Sequence, residues 1–130
     1  MTVDVLLVDD EVDAIDLFRQ SFRREIRRGE LQFKFSTSAD EALSLLVSSE
    51  AAERFLVLSD INMPGMTGLE LLQEVKQRWP NMVVIMVSAY GDADNRRRAI
   101  DYGASDFVTK PVDFGLLKQT LGTYVAGDGI

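Results

Sequence analysis

Acidic, hydroxyl and amino side chains directly follow four of the five apolar runs in the sequence, where core packing does not explain them. They are Asp9, Asp10 and Glu11 after the first run, Asp60 after the third, Ser88 after the fourth and Lys110 after the fifth. Carboxylates that converge without a counter-charge repel and raise one another's pKa values. Mg²⁺, which prefers oxygen ligands, would relieve that repulsion, and Lys110 would add a positive charge.

Such a cluster has the parts needed to move a phosphoryl group. Asp60 is a candidate nucleophile that would form an aspartyl-phosphate. The Lys110 ammonium, the Ser88 hydroxyl and Mg²⁺ would stabilise negative charge on the phosphoryl oxygens during the transfer. The chain contains no histidine and no cysteine, so catalysis by its own histidine, thiolate chemistry and disulfides are excluded.

Each of these residues also has an ordinary structural interpretation. The acidic residues at 9–11 would favour a helix N-terminus, and Ser88 could cap the helix that follows it. Asp60 alone fits a turn, and Lys110 alone could be a surface lysine. The functional interpretation is favoured because the set occurs in order, at one strand end after another.

The segments that must position these side chains alternate between strand and helix patterns. Strands are predicted at Val3–Val8, Leu31–Ser36, Phe55–Leu58, Met82–Val87 and Asp106–Thr109. Helices are predicted at Val12–Arg28, Asp40–Val47, Gly68–Trp79, Asp92–Tyr102 and Asp113–Val125, with Gly103 as a C-terminal cap. The order predicts a doubly wound α/β domain with a five-stranded parallel sheet and five helices, whose ligands bind at the carboxyl ends of the strands.

Length and composition fit one globular domain. The chain has 130 residues, of which 46% are hydrophobic and 27% charged. We expect the domain at residues 1–125 and a tail or the start of a linker at 126–130. The formal net charge of −7 argues against direct nucleic acid binding. With no signal peptide and no apolar run near the roughly 20 residues of a membrane span, we expect a cytoplasmic protein without a membrane partner.

The ordered motifs resemble the response-regulator receiver family of two-component signalling. The resemblance runs from about Val3 to about Tyr124. It rests on Asp9-Asp10, Asp60 with Asn62-Met63-Pro64-Gly65-Met66-Thr67-Gly68, Ser88-Ala89 and Lys110-Pro111. It implies a (βα)5 flavodoxin-like receiver fold with Mg²⁺ as cofactor. It also implies a signalling switch that catalyses only its own phosphorylation and autodephosphorylation.

The resemblance implies roles for the residues around the acceptor. Asp60 would be the phosphoacceptor. Asp10, Asp60 and the backbone carbonyl of Asn62 would be the Mg²⁺ ligands, and Asp9 would act mainly through water. The side chains of Asn62 and Tyr90 match positions that tune autodephosphorylation in the family.

Residues of the fourth and fifth strand ends match the family's switch elements. Lys110 would contact the phosphoryl oxygens, and its bond to Pro111 would be cis. Ser88 would be the switch hydroxyl and Phe107 the switch aromatic. Ala89 would be the small residue that admits the phosphoryl group.

The resemblance also implies partners. A sensor histidine kinase or histidine phosphotransferase would supply the phosphoryl group, and an output domain in cis or a partner protein in trans would respond. A homodimer through the helices at 92–102 and 113–125 is compatible with the sequence. The arginines at 23, 24, 27 and 28 form either a solvated helix face or a docking patch for an acidic donor helix; those at 96–98 form a solvated face or part of the output face.

Other functions use part of this pattern. A haloacid-dehalogenase type of hydrolase also has a strand-end Asp nucleophile with Mg²⁺, but it needs a second acidic residue where this chain has Asn62. A receiver-like interaction module that no longer takes phosphate would lack the acceptor, the lysine or the acidic pair. A dinucleotide-binding domain would need a glycine-rich loop after the first strand. The phosphorylation-controlled switch is therefore favoured.

Overall fold

Five parallel strands form one sheet in the computed structural model, which describes residues 2–50, 52–89 and 91–129, with side chains as far as Tyr124. The strand order is β2-β1-β3-β4-β5. The strands are β1 Val3–Val8, β2 Leu31–Ser36, β3 Phe55–Asp60, β4 Val84–Ala89 and β5 Asp106–Lys110. The chain reverses its direction of winding between β1 and β3, which confirms the predicted doubly wound fold.

Within the described residues, six α-helices flank the sheet, one more than predicted. They are α1 Val12–Ser21, α2 Arg23–Arg27, α3 Ala39–Ser48, α4 Gly68–Arg78, α5 Ala93–Asp101 and α6 Phe114–Gly129, and a turn of 3₁₀ helix, Ala52–Arg54, precedes β3. No helix in this part of the chain is both long and apolar enough to cross a bilayer.

The first predicted helix is broken at Phe22, whose φ of −103° and ψ of 12° depart from helical values. The Phe22 side chain is fully buried. Its ring lies 5.2 Å from that of Phe33 and 6.1 Å from that of Phe114, between centroids. The break therefore falls where one ring packs against β2 and α6, and the apolar periodicity is the same on both sides of it.

Several element ends differ from the prediction. β3 and β4 run two residues further than expected, so that Asp60 and Ala89 end strands and do not begin loops. The last helix continues to Gly129, and the division of the chain at residues 125 and 126 stays a prediction. Gly103 has a φ of 95° after α5, and this confirms its predicted role as a C-terminal cap.

Side chains along each central strand alternate between two apolar clusters, one on each face of the sheet. In β1, Val5 and Leu7 face the cluster completed by α1, α2 and α6. Leu6 and Val8 face the cluster completed by α3, α4 and α5. Because both faces are covered, the central strands are apolar at nearly every position, as the sequence shows.

The carboxyl ends of four strands meet at one edge of the sheet. The parallel register pairs Val8 of β1 with Ser59 of β3, and Ala89 of β4 with Lys110 of β5. Asp60, the last residue of β3, therefore lies between the ends of β1 and β4. The residues that the sequence places at strand ends are brought to one place by this register.

Candidate functional site

Three carboxylates converge where β1 and β3 end. Asp9 and Asp10 follow β1, and Asp60 closes β3, and the carboxylate oxygens of the three lie within 4.8 Å of one another. Asp9 and Asp60 are only 3% and 6% exposed, whereas Asp10 is exposed. The cluster is thus a shallow acidic pocket with two buried carboxylates at its base.

Lys110 reaches into the acidic pocket from the end of β5. Its Nζ donates a hydrogen bond to Asp60 Oδ2 at 3.1 Å and lies 3.9 Å from Asp9 Oδ2. Partial burial lowers the pKa of Lys110, but the hydrogen bond and the charge of Asp60 outweigh it, and the net shift is upward. One ammonium therefore faces three carboxylates, and the pocket keeps an excess of negative charge.

The pKa of Asp9 is raised by burial and by this excess of negative charge. Burial raises the pKa of the Asp9 carboxyl above 3.8, and the charge of Asp60 adds to the increase. The amide of Glu11, which donates to Asp9 Oδ1 at 2.9 Å, and the Lys110 ammonium offset only part of it. A hard divalent cation satisfies such a set of oxygen ligands, so the residues fit Mg²⁺.

Asp9→Asn is expected to stabilise the metal-free protein. Above its folded-state pKa, ionised Asp9 lowers the free energy of unfolding, so stability in the wild type falls as pH rises from 3.8 through the raised pKa. The amide keeps the acceptor for Glu11 and removes one negative charge, which should raise the free energy of unfolding by roughly 1 kcal/mol at neutral pH. Urea unfolding in a chelator measures this.

A matched control for that experiment is Asp40→Asn, an exposed carboxylate at the start of α3. It should change stability by less than about 0.5 kcal/mol. Equal or lower stability of Asp9→Asn at neutral pH, or an unchanged slope of stability against pH, would show that the charge of Asp9 is not opposed by its surroundings.

Ser88 is fully buried near the end of β4. Its hydroxyl donates a hydrogen bond to a residue that follows the strand. It donates to Asp92 Oδ2 at 3.2 Å, and the Asn95 amide donates to the same oxygen at 2.7 Å. The hydrogen bond from Asn95 is the main reason why the pKa of the Asp92 carboxyl lies below its usual value. The hydrogen bonds from Ser88 and Asn62 lower this pKa further. Asp92 was missed by the sequence analysis, because an aspartate just before a helix is indistinguishable from a cap.

The remaining predicted residues surround this loop. Phe107 is half-buried on β5, and the Arg96 guanidinium carbon lies 5.4 Å from the centre of its ring. Ala89 is exposed beside Lys110 in the sheet register, and the Lys110–Pro111 peptide bond is cis, as the resemblance implies. Tyr90 lies outside the described residues.

The arginines of residues 23–28 lie at the far end of the domain. Helix α1 begins after the carboxyl end of β1 and extends for about 15 Å at 1.5 Å per residue before the arginines of α2 begin. Glu30, just beyond them, accepts a hydrogen bond from the amide of Val3, the first residue of β1. This position is opposite to Asp60, so the solvated-face interpretation is favoured over donor docking beside the acceptor.

Comparison with known proteins places this arrangement among receiver domains. The sequence profile described as "Response regulator receiver domain" matches residues 5–122. The response regulator protein PilR of Pseudomonas aeruginosa is 39% identical over 119 residues, which cover 91% of this chain and 25% of PilR. The crystal structure of the receiver domain of NtrX from Brucella abortus has a TM-score of 0.80 at 34% identity, and the match covers 92% of this chain and 96% of that one.

A CheY-like receiver domain protein from Methanospirillum hungatei gives a TM-score of 0.85 at 26% identity, with 98% of this chain and 96% of that chain covered. The chain spans about a quarter of the length of curated relatives such as PilR. The matched residues include the acidic pocket, Ser88 and Lys110. On the profile match, the relatives and the fold, the chain belongs to the response regulator receiver domain family.

Proposed function

We propose that this domain accepts a phosphoryl group on the carboxylate of Asp60 and thereby switches an output surface. The observation that carries the proposal is the position of Asp60, which is buried beside Asp9, near the exposed Asp10 and 3.1 Å from the Lys110 ammonium. A carboxylate held this way lies at the edge of the sheet, next to an ammonium that can contact the incoming phosphoryl oxygens.

The transfer needs little from the protein beyond position and charge. An Asp60 carboxylate oxygen forms a bond to phosphorus as the bond from phosphorus to the donor breaks. Lys110 contacts a phosphoryl oxygen and stays charged because of its acidic neighbours. Asp10, Asp60 and the Asn62 carbonyl would hold Mg²⁺, with Asp9 acting through water. When bound, the ion neutralises negative charge on the phosphoryl group.

The rest of the proposal concerns the cellular setting. The donor is a sensor histidine kinase or a histidine phosphotransferase, and the domain catalyses only its own phosphorylation and dephosphorylation. The output is a domain in cis or a protein in trans, since relatives such as PilR are about four times longer than the matched region. We place the domain in the cytoplasm, and the face of α5 and α6 is the proposed surface for output or dimerisation.

Beryllofluoride binding tests the proposal without a kinase. The anion mimics a phosphoryl group on an aspartate, so it should bind one to one in the presence of Mg²⁺ and not in a chelator. Intrinsic fluorescence is a poor probe, because the single tryptophan, Trp79, caps the end of α4 remote from Asp60. Titration calorimetry and ¹⁹F NMR report binding directly. A folded protein that shows no Mg²⁺-dependent binding would instead support a phosphate-independent interaction module.

A further inference from the structure

The Ser88 hydroxyl already donates a hydrogen bond within the protein when no phosphoryl group is bound. A serine hydroxyl has one hydrogen to donate, and that of Ser88 is donated to Asp92 Oδ2 at 3.2 Å. The residue is fully buried, so water does not replace this hydrogen bond at small cost. Asp92 precedes α5 as its N-cap residue.

We infer that Asp92 is a positioning residue that holds the Ser88 hydroxyl in a resting position and so lowers the affinity of Asp60 for a phosphoryl group. The inference rests on the proposed function, because it concerns the group that Asp60 accepts. Phosphoryl oxygens only accept hydrogen bonds. The Ser88 hydroxyl therefore donates either to Asp92 or to the phosphoryl group. A hydrogen bond to the phosphoryl group forms only when the one to Asp92 is lost.

The exchange is feasible because Asp92 keeps another donor. The Asn95 amide lies 2.7 Å from the same carboxylate oxygen, so departure of the Ser88 hydroxyl leaves the carboxylate hydrogen-bonded. The Asn62 side chain also hydrogen-bonds to the Asp92 carboxylate, so the carboxylate keeps donors when the Ser88 hydroxyl leaves. Asp92 thus opposes the switch without blocking it.

Helix α5 also contacts Phe107, the predicted switch aromatic on β5. Arg96 lies four residues after Asp92, on the same face of α5, and its guanidinium carbon is 5.4 Å from the Phe107 ring centre. A cavity of about 140 Å³, lined by Ala89, Asp92, Arg96, Phe107 and Thr109 among others, lies between these groups. The loop after β4 therefore borders open space into which it can move without displacing core side chains.

Removal of the carboxylate should favour the phosphoryl-bound state. In Asp92→Ala, beryllofluoride with saturating Mg²⁺ should bind about tenfold more tightly than to the wild type, because no charged acceptor competes for Ser88. Asp94→Ala removes the same charge from an exposed residue of the same helix turn. It should change the dissociation constant by no more than about twofold, since exposed charges are screened.

The Ser88→Ala background separates the effect of the Ser88 hydrogen bond from the effect of the Asp92 charge. With Ser88→Ala, addition of Asp92→Ala should leave the beryllofluoride dissociation constant unchanged within about twofold. The same tightening with and without Ser88, or an equal effect of Asp94→Ala, would show that Asp92 acts only through its charge. Unchanged or weaker binding in Asp92→Ala would also overturn the inference.

A second measurement does not depend on phosphoryl chemistry. In the metal-free protein, NMR relaxation dispersion should show more microsecond to millisecond exchange at residues 88–95 and Phe107 in Asp92→Ala than in the wild type or Asp94→Ala. Equal exchange in all three would overturn the holding role. If the wild type does not bind beryllofluoride, the proposed function fails, and this measurement still decides whether Asp92 restrains Ser88.

Discussion

Asp60→Asn is expected to abolish phosphoryl incorporation while leaving the domain folded. An amide oxygen is a far weaker nucleophile than a carboxylate, so incorporation from acetyl phosphate should fall by at least about a thousandfold. The amide has almost the same shape and still accepts the hydrogen bond that Lys110 now donates at 3.1 Å. Circular dichroism and thermal unfolding should therefore stay close to those of the wild type.

Asp101→Asn is the matched control, because it makes the same change at an exposed residue at the far end of α5. Its phosphorylation rate should equal that of the wild type. Undiminished incorporation in folded Asp60→Asn would mean that another carboxylate is the acceptor, and Asp10, exposed in the same pocket, would be examined next.

Gly68→Ala should have the largest effect on stability. A Cβ at Gly68 would lie 2.0 Å from the carbonyl oxygen of Asp60 and 2.8 Å from the Cα of Ile61. Both are backbone atoms that move only with β3 and the residue after it. The Gly68 amide also donates a hydrogen bond to the Ile61 carbonyl at 2.8 Å. We expect at least about 3 kcal/mol of destabilisation, and weaker beryllofluoride binding in any folded protein, because Asp60 itself is displaced.

Gly122→Ala tests whether the effect comes from the site and not from the loss of a glycine. A Cβ at Gly122, within α6, meets nothing within 4 Å. Because alanine favours helix, this change should stabilise the domain by up to about 1 kcal/mol. Urea unfolding of both variants gives the comparison. Equal effects of the two would contradict the close approach of α4 to β3.

Much of the fold and of the acidic pocket could be predicted from the sequence. Buried parallel strands are apolar throughout, and the topology alone brings their carboxyl ends to one edge. The prediction that Asp9, Asp10, Asp60 and Lys110 would converge needed only that rule, and the 3.1 Å contact between Lys110 and Asp60 agrees with it. The roles assigned to these residues remain proposals.

Other features depend on details that a one-dimensional pattern does not carry. The break at Phe22 falls where one ring packs against Phe33 and Phe114, while the helical periodicity continues through it. The contact of Asp92 with Ser88 depends on the path of the intervening loop. The basic patch at residues 23–28 lies far from Asp60 because α1 runs from the carboxyl end of β1 towards the opposite end of that strand.

Intact mass spectrometry of the wild-type domain with acetyl phosphate, followed by peptide mapping, tests the central claim most directly. We predict the gain of one phosphoryl group in the presence of Mg²⁺, no gain in a chelator, and location of the group on the peptide that contains Asp60. No gain by a folded protein with Mg²⁺, or location of the group on another residue, would contradict the assignment of Asp60 as the phosphoacceptor.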